Sequence, residues 1–161
     1  MTISAKNFRE LRLERMRRDF GGLNALKDIS LTIKRGEFIA LLGPSGCGKS
    51  TALNCLAGLL PLTGGSIWVD DNRIDHLKPE DRGFGMVFQN YALFPHMSLR
   101  KNIGFGLRMQ KQPQAVIDAK VEEALALVRL TKQADKLPGQ ISGGQQQRVA
   151  IARAIVVEPP L

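Results

Sequence analysis

Short segments in the first half of the chain alternate between apolar and polar positions. Leu11 to Met16 alternates weakly and Ala25 to Ile33 more clearly, which is typical of strands with one buried and one exposed face. Ser66 to Val69 and Asn72 to Ile74 predict a short hairpin. Together these segments predict a half-exposed antiparallel layer of strands.

Two other segments are apolar almost without interruption, Glu37 to Leu42 and Gly85 to Phe88. Such runs are typical of strands that are buried on both faces of a parallel sheet. A glycine-rich loop from Gly43 to Gly48 follows the first run. Lys49 to Leu60 then has the composition of a helix, which Pro61 is expected to end. The pattern at 37–60 therefore predicts a strand, a loop and a helix in succession.

The second half of the chain has a helical pattern from Pro95 onward. Pro113 to Leu130 places apolar residues three and four positions apart, which predicts an amphipathic helix. The predicted apolar face consists of Ile117, Val121, Ala124, Leu125 and Val128. A polar, glycine-containing loop leads to a second predicted helix at Gln145 to Val157.

Composition fits a globular protein, with 161 residues, 43% of them hydrophobic and 24% charged. That length suits one domain or part of one. No apolar run reaches the roughly 18 to 20 residues that cross a bilayer, and the N-terminus is too charged for a signal peptide. These features predict a cytosolic protein whose membrane association is peripheral.

The net charge of +8 raises the possibility of nucleic-acid binding, with a basic cluster at Arg12, Arg15, Arg17 and Arg18. Because no aromatic residues are interleaved with this cluster to stack bases, we interpret it as a solvated face and expect no nucleic-acid partner. Cys47 and Cys55 are expected to be free thiols, since their spacing does not suit a metal. We interpret Cys47 as a small loop residue, with a reactive thiol as the alternative.

The segment from Gly43 to Ser50 matches the pattern G-x-x-x-x-G-K-[ST], which defines a phosphate-binding loop when a strand precedes it and a helix follows. Glycines let backbone N–H groups turn inward around phosphate oxygens, and the helix N-terminus adds its positive dipole. Lys49 would neutralise the phosphates, and the Ser50 hydroxyl would bind Mg²⁺. The predicted nucleotide contacts are Gly43, Pro44, Ser45, Gly46, Cys47, Gly48, Lys49, Ser50 and Thr51.

A second candidate anion site lies at Ser142, Gly143, Gly144 and Gln145. Two glycines at the start of a helix expose backbone N–H groups, with the Ser142 hydroxyl beside them. An ordinary glycine-rich helix N-cap is the alternative interpretation. Together with the phosphate loop, this segment resembles the signature motif of ABC-transporter ATPases, with Ile141 in place of the usual leucine.

The resemblance covers roughly residues 20–161 and implies further roles. Val87 to Pro95 resembles the family's Q-loop, so Gln89 is expected to touch Mg²⁺ and the attacking water and, with Lys49, to be catalytic. Phe20 matches the aromatic residue that stacks on adenine. The family implies ATP and Mg²⁺ as ligands, with ATP held between the phosphate loop of one subunit and the signature loop of another.

The family also implies an architecture and partners. We expect an α/β P-loop fold with an antiparallel layer, a parallel core sheet and a helical subdomain. In residues 1–161 the catalytic core would comprise about 11–95 and 145–161, and the subdomain with the signature motif about 96–144. The expected partners are a second copy or a paired cassette, transmembrane permease subunits and, indirectly, a solute-binding protein. This chain itself is expected at the cytoplasmic face of the membrane, as a peripheral subunit. Tyr91 to Met97 and Gln145 to Arg148 resemble importer ATPases for sugars, polyamines and iron(III). Phe105 to Lys111 most resembles the spermidine/putrescine branch.

In the family, an apolar strand ending in Asp-Glu, the Walker B motif, follows the segment that ends here at Leu161. We therefore expect the fold to be incomplete at its C-terminus and leave hydrolysis by this chain open. Without that strand, Phe38 to Leu42 is expected to be an exposed apolar edge that lowers stability or favours aggregation. Neither His76 nor His96 lies in a context that matches a catalytic histidine.

Two functional hypotheses remain from the sequence. One is the ATPase subunit of an importer, and the other is a fragment that binds nucleotide or a partner without turnover. An ABC-type DNA-repair ATPase is disfavoured, because such proteins insert a long coiled coil between the Q-loop and the signature. Here Gln89 and Ser142 are 142 − 89 = 53 positions apart, and no sustained heptad repeat separates them.

Overall fold

The computed structural model describes residues 8–161, and residues 1–7 of the predicted domain lie outside the described residues. Contacts divide the chain into one unit that contains residues up to Phe84 together with Pro160 and Leu161, and a second unit from Gly85 to Pro159. The predicted division into a catalytic core and a helical subdomain at 96–144 stays a prediction.

The first unit is built on a four-stranded antiparallel sheet in the order β2-β1-β3-β4. Its strands are β1 (Glu10–Phe20), β2 (Leu23–Lys34), β3 (Gly64–Val69) and β4 (Asn72–Arg73). Two helices accompany them, α1 (Lys49–Ala57) and α2 (Pro79–Arg82). The predicted antiparallel layer and hairpin are confirmed, although β1 and β2 are longer than their alternating patterns indicated.

The two predicted buried strands are not formed. Neither 37–42 nor 85–88 is a strand, and every strand pairing among the described residues is antiparallel. Side chains in the first segment are exposed rather than buried, with 93% of Phe38 and 92% of Leu42 accessible. The physical reason is that a strand needs a neighbour to pair its backbone N–H and C=O groups, and these segments have none among residues 8–161. The expectation of an exposed apolar segment at 38–42 is confirmed.

The core of the first unit lies beneath the sheet and against one side of α1. It consists of Phe8, Leu11, Leu13, Met16, Leu26, Cys55, Ile67, Val69 and Ile74. Helix α1 ends at Ala57, earlier than Pro61, because Gly58 adopts a left-handed conformation (φ 83°) that caps the helix.

A buried arginine fixes the C-terminal end of α1. Only 2% of Arg82 is exposed, and its guanidinium donates hydrogen bonds to the carbonyls of Cys55, Leu56, Leu77 and Asp75 at 2.7 to 3.1 Å. A Cβ at Gly58 would lie 2.9 Å from the Arg82 Nε, so this close approach requires glycine. Arg82 therefore joins the end of α1 to the chain that follows the sheet.

The second unit is helical. It contains α3 (Leu99–Ile103), α4 (Phe105–Met109), α5 (Gln114–Leu127) and α6 (Gly143–Ile155), with 3-10 turns at Thr131–Gln133 and Pro138–Gln140. Helices α3, α5 and α6 pack on one another. The predicted amphipathic helix is confirmed as α5, in which Ile117, Val121, Ala124 and Leu125 are buried, while Val128 packs against this core from just beyond its end.

We expect Arg82→Met to destabilise the first unit by about 2 to 4 kcal/mol, because four carbonyls lose a buried donor. The measurement is urea unfolding followed by the fluorescence of Trp68, the single tryptophan, which lies in β3. Arg9→Gln is the matched control, since 79% of the Arg9 side chain is exposed and its ion pairs are worth less than about 1 kcal/mol. Equal effects of the two substitutions would contradict this role of Arg82.

A second prediction concerns acid stability. The Asp70 carboxylate accepts hydrogen bonds from the backbone N–H groups of Glu10 (3.0 Å) and Arg9 (2.8 Å), and the bond from Glu10 in particular lowers the pKa of Asp70. A lowered folded pKa gives stability that is fully present above the unfolded value near pH 4 and is lost as pH falls through the folded value. Asp70→Asn should therefore flatten the acid limb of stability against pH.

The same Trp68 fluorescence, recorded in urea between about pH 2 and pH 6, measures this slope. Asp71→Asn is the control, because the Asp71 side chain is 92% exposed. If the Asp70→Asn profile runs parallel to that of the unaltered chain, the Asp70 carboxylate does not contribute to acid stability.

Candidate nucleotide-binding site

A groove of about 550 Å³ runs along the first unit between the β1–β2 hairpin and the loop that precedes α1. It brings together five of the predicted nucleotide contacts, namely Phe20, Gly46, Cys47, Gly48 and Thr51. Its other lining residues come from β2 and are Leu23, Asn24, Ala25, Leu26, Lys27 and Ile29. Gly43, Pro44, Ser45, Lys49 and Ser50 belong to the same loop and helix start but do not line the groove.

The loop reaches α1 through Gly48, which has φ 91°. A Cβ at this position would lie 2.4 Å from the carbonyl oxygen of Ala25. Glycine is thus required both by the left-handed backbone and by the close approach to β2. The result is that the start of α1 is held directly against the strand that forms the other side of the groove.

No side chain caps the N-terminus of α1, although the Gly48 carbonyl accepts a hydrogen bond from the Ala52 N–H at 2.8 Å. The first N–H groups of a helix have no partner within the helix, and they carry the positive end of its dipole. Helix α1 therefore begins with backbone donors of the kind that bind phosphate.

Lys49, the first residue of α1, folds back onto the loop. Its ammonium donates hydrogen bonds to the carbonyls of Gly43 and Pro44, both at 2.7 Å, and lies 3.3 Å from the Cys47 Sγ. Among residues 8–161 no carboxylate forms a salt bridge with it. The ammonium is therefore bound by two neutral carbonyls and one sulfur, which suits a group that can exchange these partners for an anion.

Ser142 and Gln145 form a capping box at the start of α6. The Ser142 Oγ accepts a hydrogen bond from the Gln145 N–H at 3.3 Å, and the Gln145 side-chain oxygen accepts one from the Ser142 N–H at 2.9 Å. The helix begins at Gly143 rather than at the predicted Gln145, so the signature residues are its cap and first turn. A Cβ at Gly143 or Gly144 would meet no atom within 4 Å, which leaves this turn open.

Gln89 belongs to the second unit, is exposed and follows no strand. The next residues are unusual, because Tyr91 (φ 61°) and Ala92 (φ 48°) both adopt left-handed backbone conformations. Such conformations cost on the order of 1 to 3 kcal/mol each in residues other than glycine. The proximity of Gln89 to the phosphate loop stays a prediction.

Arg153 of α6 stabilises this strained turn. Its guanidinium donates hydrogen bonds to the carbonyls of Ala92 (2.8 Å) and Tyr91 (3.0 Å) and lies 5.5 Å from the centre of the Phe94 ring. Burial lowers the pKa of Arg153, but an arginine remains charged at any physiological pH. The helix that begins with the signature residues thus also holds the turn that follows Gln89.

Asn102 in α3 binds the backbone of the residues that follow this turn. It is fully buried and accepts a hydrogen bond from the Phe94 N–H, while its amide donates to the carbonyls of Phe94, Met97 and Ser98. Sequence reasoning missed Asn102, Arg153 and Arg82. The one signal for these residues in the sequence is that a polar side chain occupies, or adjoins, a position that the apolar pattern predicts to be buried.

Two general expectations concern metals and membranes. Residues 8–161 bring no three His, Cys, Asp or Glu side chains together in a group that could hold a metal ion. None of the described helices combines the length and hydrophobicity that a membrane span requires.

Comparison with known families identifies the class of protein. A family model described as "ABC transporter" matches residues 26–161, which is most of the chain. The chain belongs to the ABC transporter family, as the motifs at Gly43 to Ser50 and Ser142 to Gln145 predicted.

The similar curated proteins are longer than this chain. The spermidine/putrescine import ATP-binding protein PotA of Haemophilus ducreyi is 52% identical over 147 residues, covering 91% of this chain and 40% of that protein. The putative 2-aminoethylphosphonate import ATP-binding protein PhnT of Salmonella paratyphi A shows the same identity and coverage. The chain therefore spans about 40% of the length of these curated relatives.

A solved structure supports the fold. The ATP-binding cassette MJ0796, in a dimeric post-hydrolysis state bound to ADP and Pi, matches with a TM-score of 0.81 and 34% identity. The match covers 92% of this chain and 70% of that chain. The predicted α/β cassette fold class is confirmed, even though the segments at 37–42 and 85–88 do not form strands here.

The two cysteines provide a test of which parts of the loop and of α1 are accessible to solvent. Cys47 is exposed on the loop, whereas Cys55 is buried under the sheet, where burial raises the pKa of its thiol. We expect iodoacetamide to alkylate Cys47 and to spare Cys55 in the native protein, since the thiolate is the reactive form. Peptide mass spectrometry measures both sites, with the urea-unfolded chain as the control in which both react. Equal labelling of the two native thiols would contradict the placement of Cys55.

Proposed function

We propose that this chain is the nucleotide-binding part of the ATP-binding subunit of an importer, and that it binds ATP with Mg²⁺. The observation that carries the proposal is the groove that joins Phe20 to the loop at Gly46 to Gly48. It offers the aromatic side chain of Phe20 and the backbone of the loop at Gly46 to Gly48, and Lys49 begins the helix directly after that loop. A nucleoside triphosphate can stack its base on an aromatic ring and accept hydrogen bonds at its phosphates.

Each predicted residue takes a role in this proposal. Phe20 stacks on adenine, the loop from Gly43 to Gly48 cradles the phosphates, and Lys49 leaves the carbonyls of its own loop to neutralise them. The Ser50 hydroxyl and the Gln89 side chain bind Mg²⁺, and Thr51 lines the phosphate end. When bound, Mg²⁺ neutralises the charge that develops on the phosphate oxygens.

The proposed partners follow from the relatives and from the open turn at the start of α6. In a head-to-tail dimer or paired cassette, the first turn from Ser142 to Gln145 would face the nucleotide of the other subunit. The backbone N–H groups of Gly143 and Gly144 would then supply a second set of phosphate donors. Transmembrane permease subunits, which this chain would contact from the cytoplasmic face, and a solute-binding protein beyond them complete the proposed importer.

The solute that we propose is a polyamine such as spermidine or putrescine. The relatives named for these solutes and the relative named for 2-aminoethylphosphonate are equally similar to this chain, and all three compounds carry a primary amine. Loss of labelled putrescine uptake after disruption of the gene, with 2-aminoethylphosphonate uptake retained, would support the polyamine assignment. The reverse pattern would contradict it.

Nucleotide binding is tested by Lys49→Ala. Because the contribution of a charge-assisted contact to phosphate is on the order of 1.5 to 3 kcal/mol, we expect ATP affinity to fall by at least about tenfold. Isothermal titration calorimetry with ATP and Mg²⁺ measures this change. Lys34→Ala removes an exposed lysine from the end of β2 and should leave affinity unchanged. Equal affinity of the Lys49→Ala variant and the unaltered chain would refute the proposed role of the loop.

A further inference from the structure

Arg18 lies against the aromatic residue of the groove. Its guanidinium carbon is 4.4 Å from the centre of the Phe20 ring, which is well within the distance of a cation–π contact. The two residues are two positions apart on β1, the spacing that places side chains on the same side of a strand. We propose that Arg18 is the positioning residue for the nucleotide base, because it covers one face of Phe20 and leaves the other for adenine.

The rest of the structure fixes Arg18 in this position. Its Nη1 donates a hydrogen bond to the Pro61 carbonyl at 3.1 Å, just beyond α1 and its cap. The Arg18 Nε is buried and has no hydrogen-bond partner among the described residues. The arginine is thus anchored by one terminal nitrogen while its guanidinium lies over the Phe20 ring.

The strand register brings this pair to the groove. Arg18 is paired with Leu26 and Phe20 with Leu23, and both leucines line the groove. Phe20 itself is 41% exposed, and no aromatic ring among residues 8–161 stacks on it. Without a neighbour, an exposed phenylalanine at the end of a strand would rotate among several side-chain conformations, and stacking a base on it would require ordering it first.

The inference rests on the proposed nucleotide-binding function and deepens it. The guanidinium restricts the ring before a nucleotide arrives, and its charge draws π-electron density away from the free face. The first effect favours any base that stacks on that face, and the second favours an electron-rich purine. Neither effect acts on the phosphates, which are bound by the loop and α1.

The test compares two ligands that share phosphates and differ in the base. ATP and inorganic tripolyphosphate are titrated calorimetrically into the 161-residue chain at the same Mg²⁺ concentration, and the ratio of their affinities isolates the base. We expect Arg18→Met to reduce the preference for ATP over tripolyphosphate by about 2- to 5-fold, the range of one cation–π contact. Arg18→Lys, which retains the charge but not the flat guanidinium, should reduce the preference by a smaller factor.

Arg12→Met is the matched control, because it removes the same charge from the same strand. The Arg12 guanidinium also covers an aromatic ring, that of Trp68 at 5.7 Å, but neither residue lines the groove. Its ATP preference should equal that of the unaltered chain. Phe20→Ala should lower the preference by itself, and Arg18→Met should then have no further effect on it.

Each outcome separates this inference from the proposed function. If Arg18→Met and Arg18→Lys weaken ATP and tripolyphosphate by the same factor, Arg18 does not position the base and the inference fails. The inference also fails if Arg18→Met still alters the preference in the Phe20→Ala background. If the unaltered chain binds neither ligand, the proposed function itself is overturned, and the inference with it.

Discussion

The position of α1 determines the candidate site. The helix is positioned at both ends by contacts that require a particular residue, Gly48 at its start and Arg82 at its end. At its start, Gly48 lies against the Ala25 carbonyl so closely that a Cβ would overlap it. At its end, the buried Arg82 binds the carbonyls of Cys55 and Leu56. Between these contacts Cys55 is the one fully buried residue of the helix, and Ala52 and Leu56 pack against the same core while partly buried. The helix is thus positioned by this apolar packing, by the close approach of Gly48 to β2 and, at its C-terminal end, by the Arg82 guanidinium.

In the second unit, polar side chains likewise hold a segment of backbone in place by hydrogen bonds. Arg153 and Asn102 are polar side chains that project from helices and bind backbone groups of the segment between Tyr91 and Ser98. Because a buried polar side chain that lost these partners would be destabilising by about 1 to 3 kcal/mol, the loop and the side chain stabilise each other. The left-handed turn after Gln89 therefore depends on α6, the helix that the signature residues begin.

Much of this could be predicted from the sequence, and the failures have identifiable causes. Helix α5 follows from local periodicity alone, and the phosphate loop follows from its spacing of glycines and lysine. The segment at 37–42 has the composition of a buried strand, but a strand also requires a paired neighbour, which its own sequence does not encode. The early end of α1 depends on Gly58, whose role is set by Arg82 from 24 positions away (82 − 58 = 24). Long-range polar contacts of this kind have no periodic pattern.

The two ends of the groove differ in how strongly the fold prepares them for a ligand. Beside the loop end, Lys49 binds two carbonyls of its own loop, so a phosphate bound there would have to replace hydrogen bonds that are already formed. At the hairpin end, Phe20 already carries Arg18 on one face, and a base would only add to this contact. In the proposed complex the Lys49 ammonium would exchange neutral carbonyls for a charged phosphate, a contact on the order of 1.5 to 3 kcal/mol, and burial of a ring face would add a gain that depends on the base. If the chain binds nucleotides as proposed, the hairpin end would therefore give the groove its preference among phosphate compounds, while the loop end would supply attraction that all of them share.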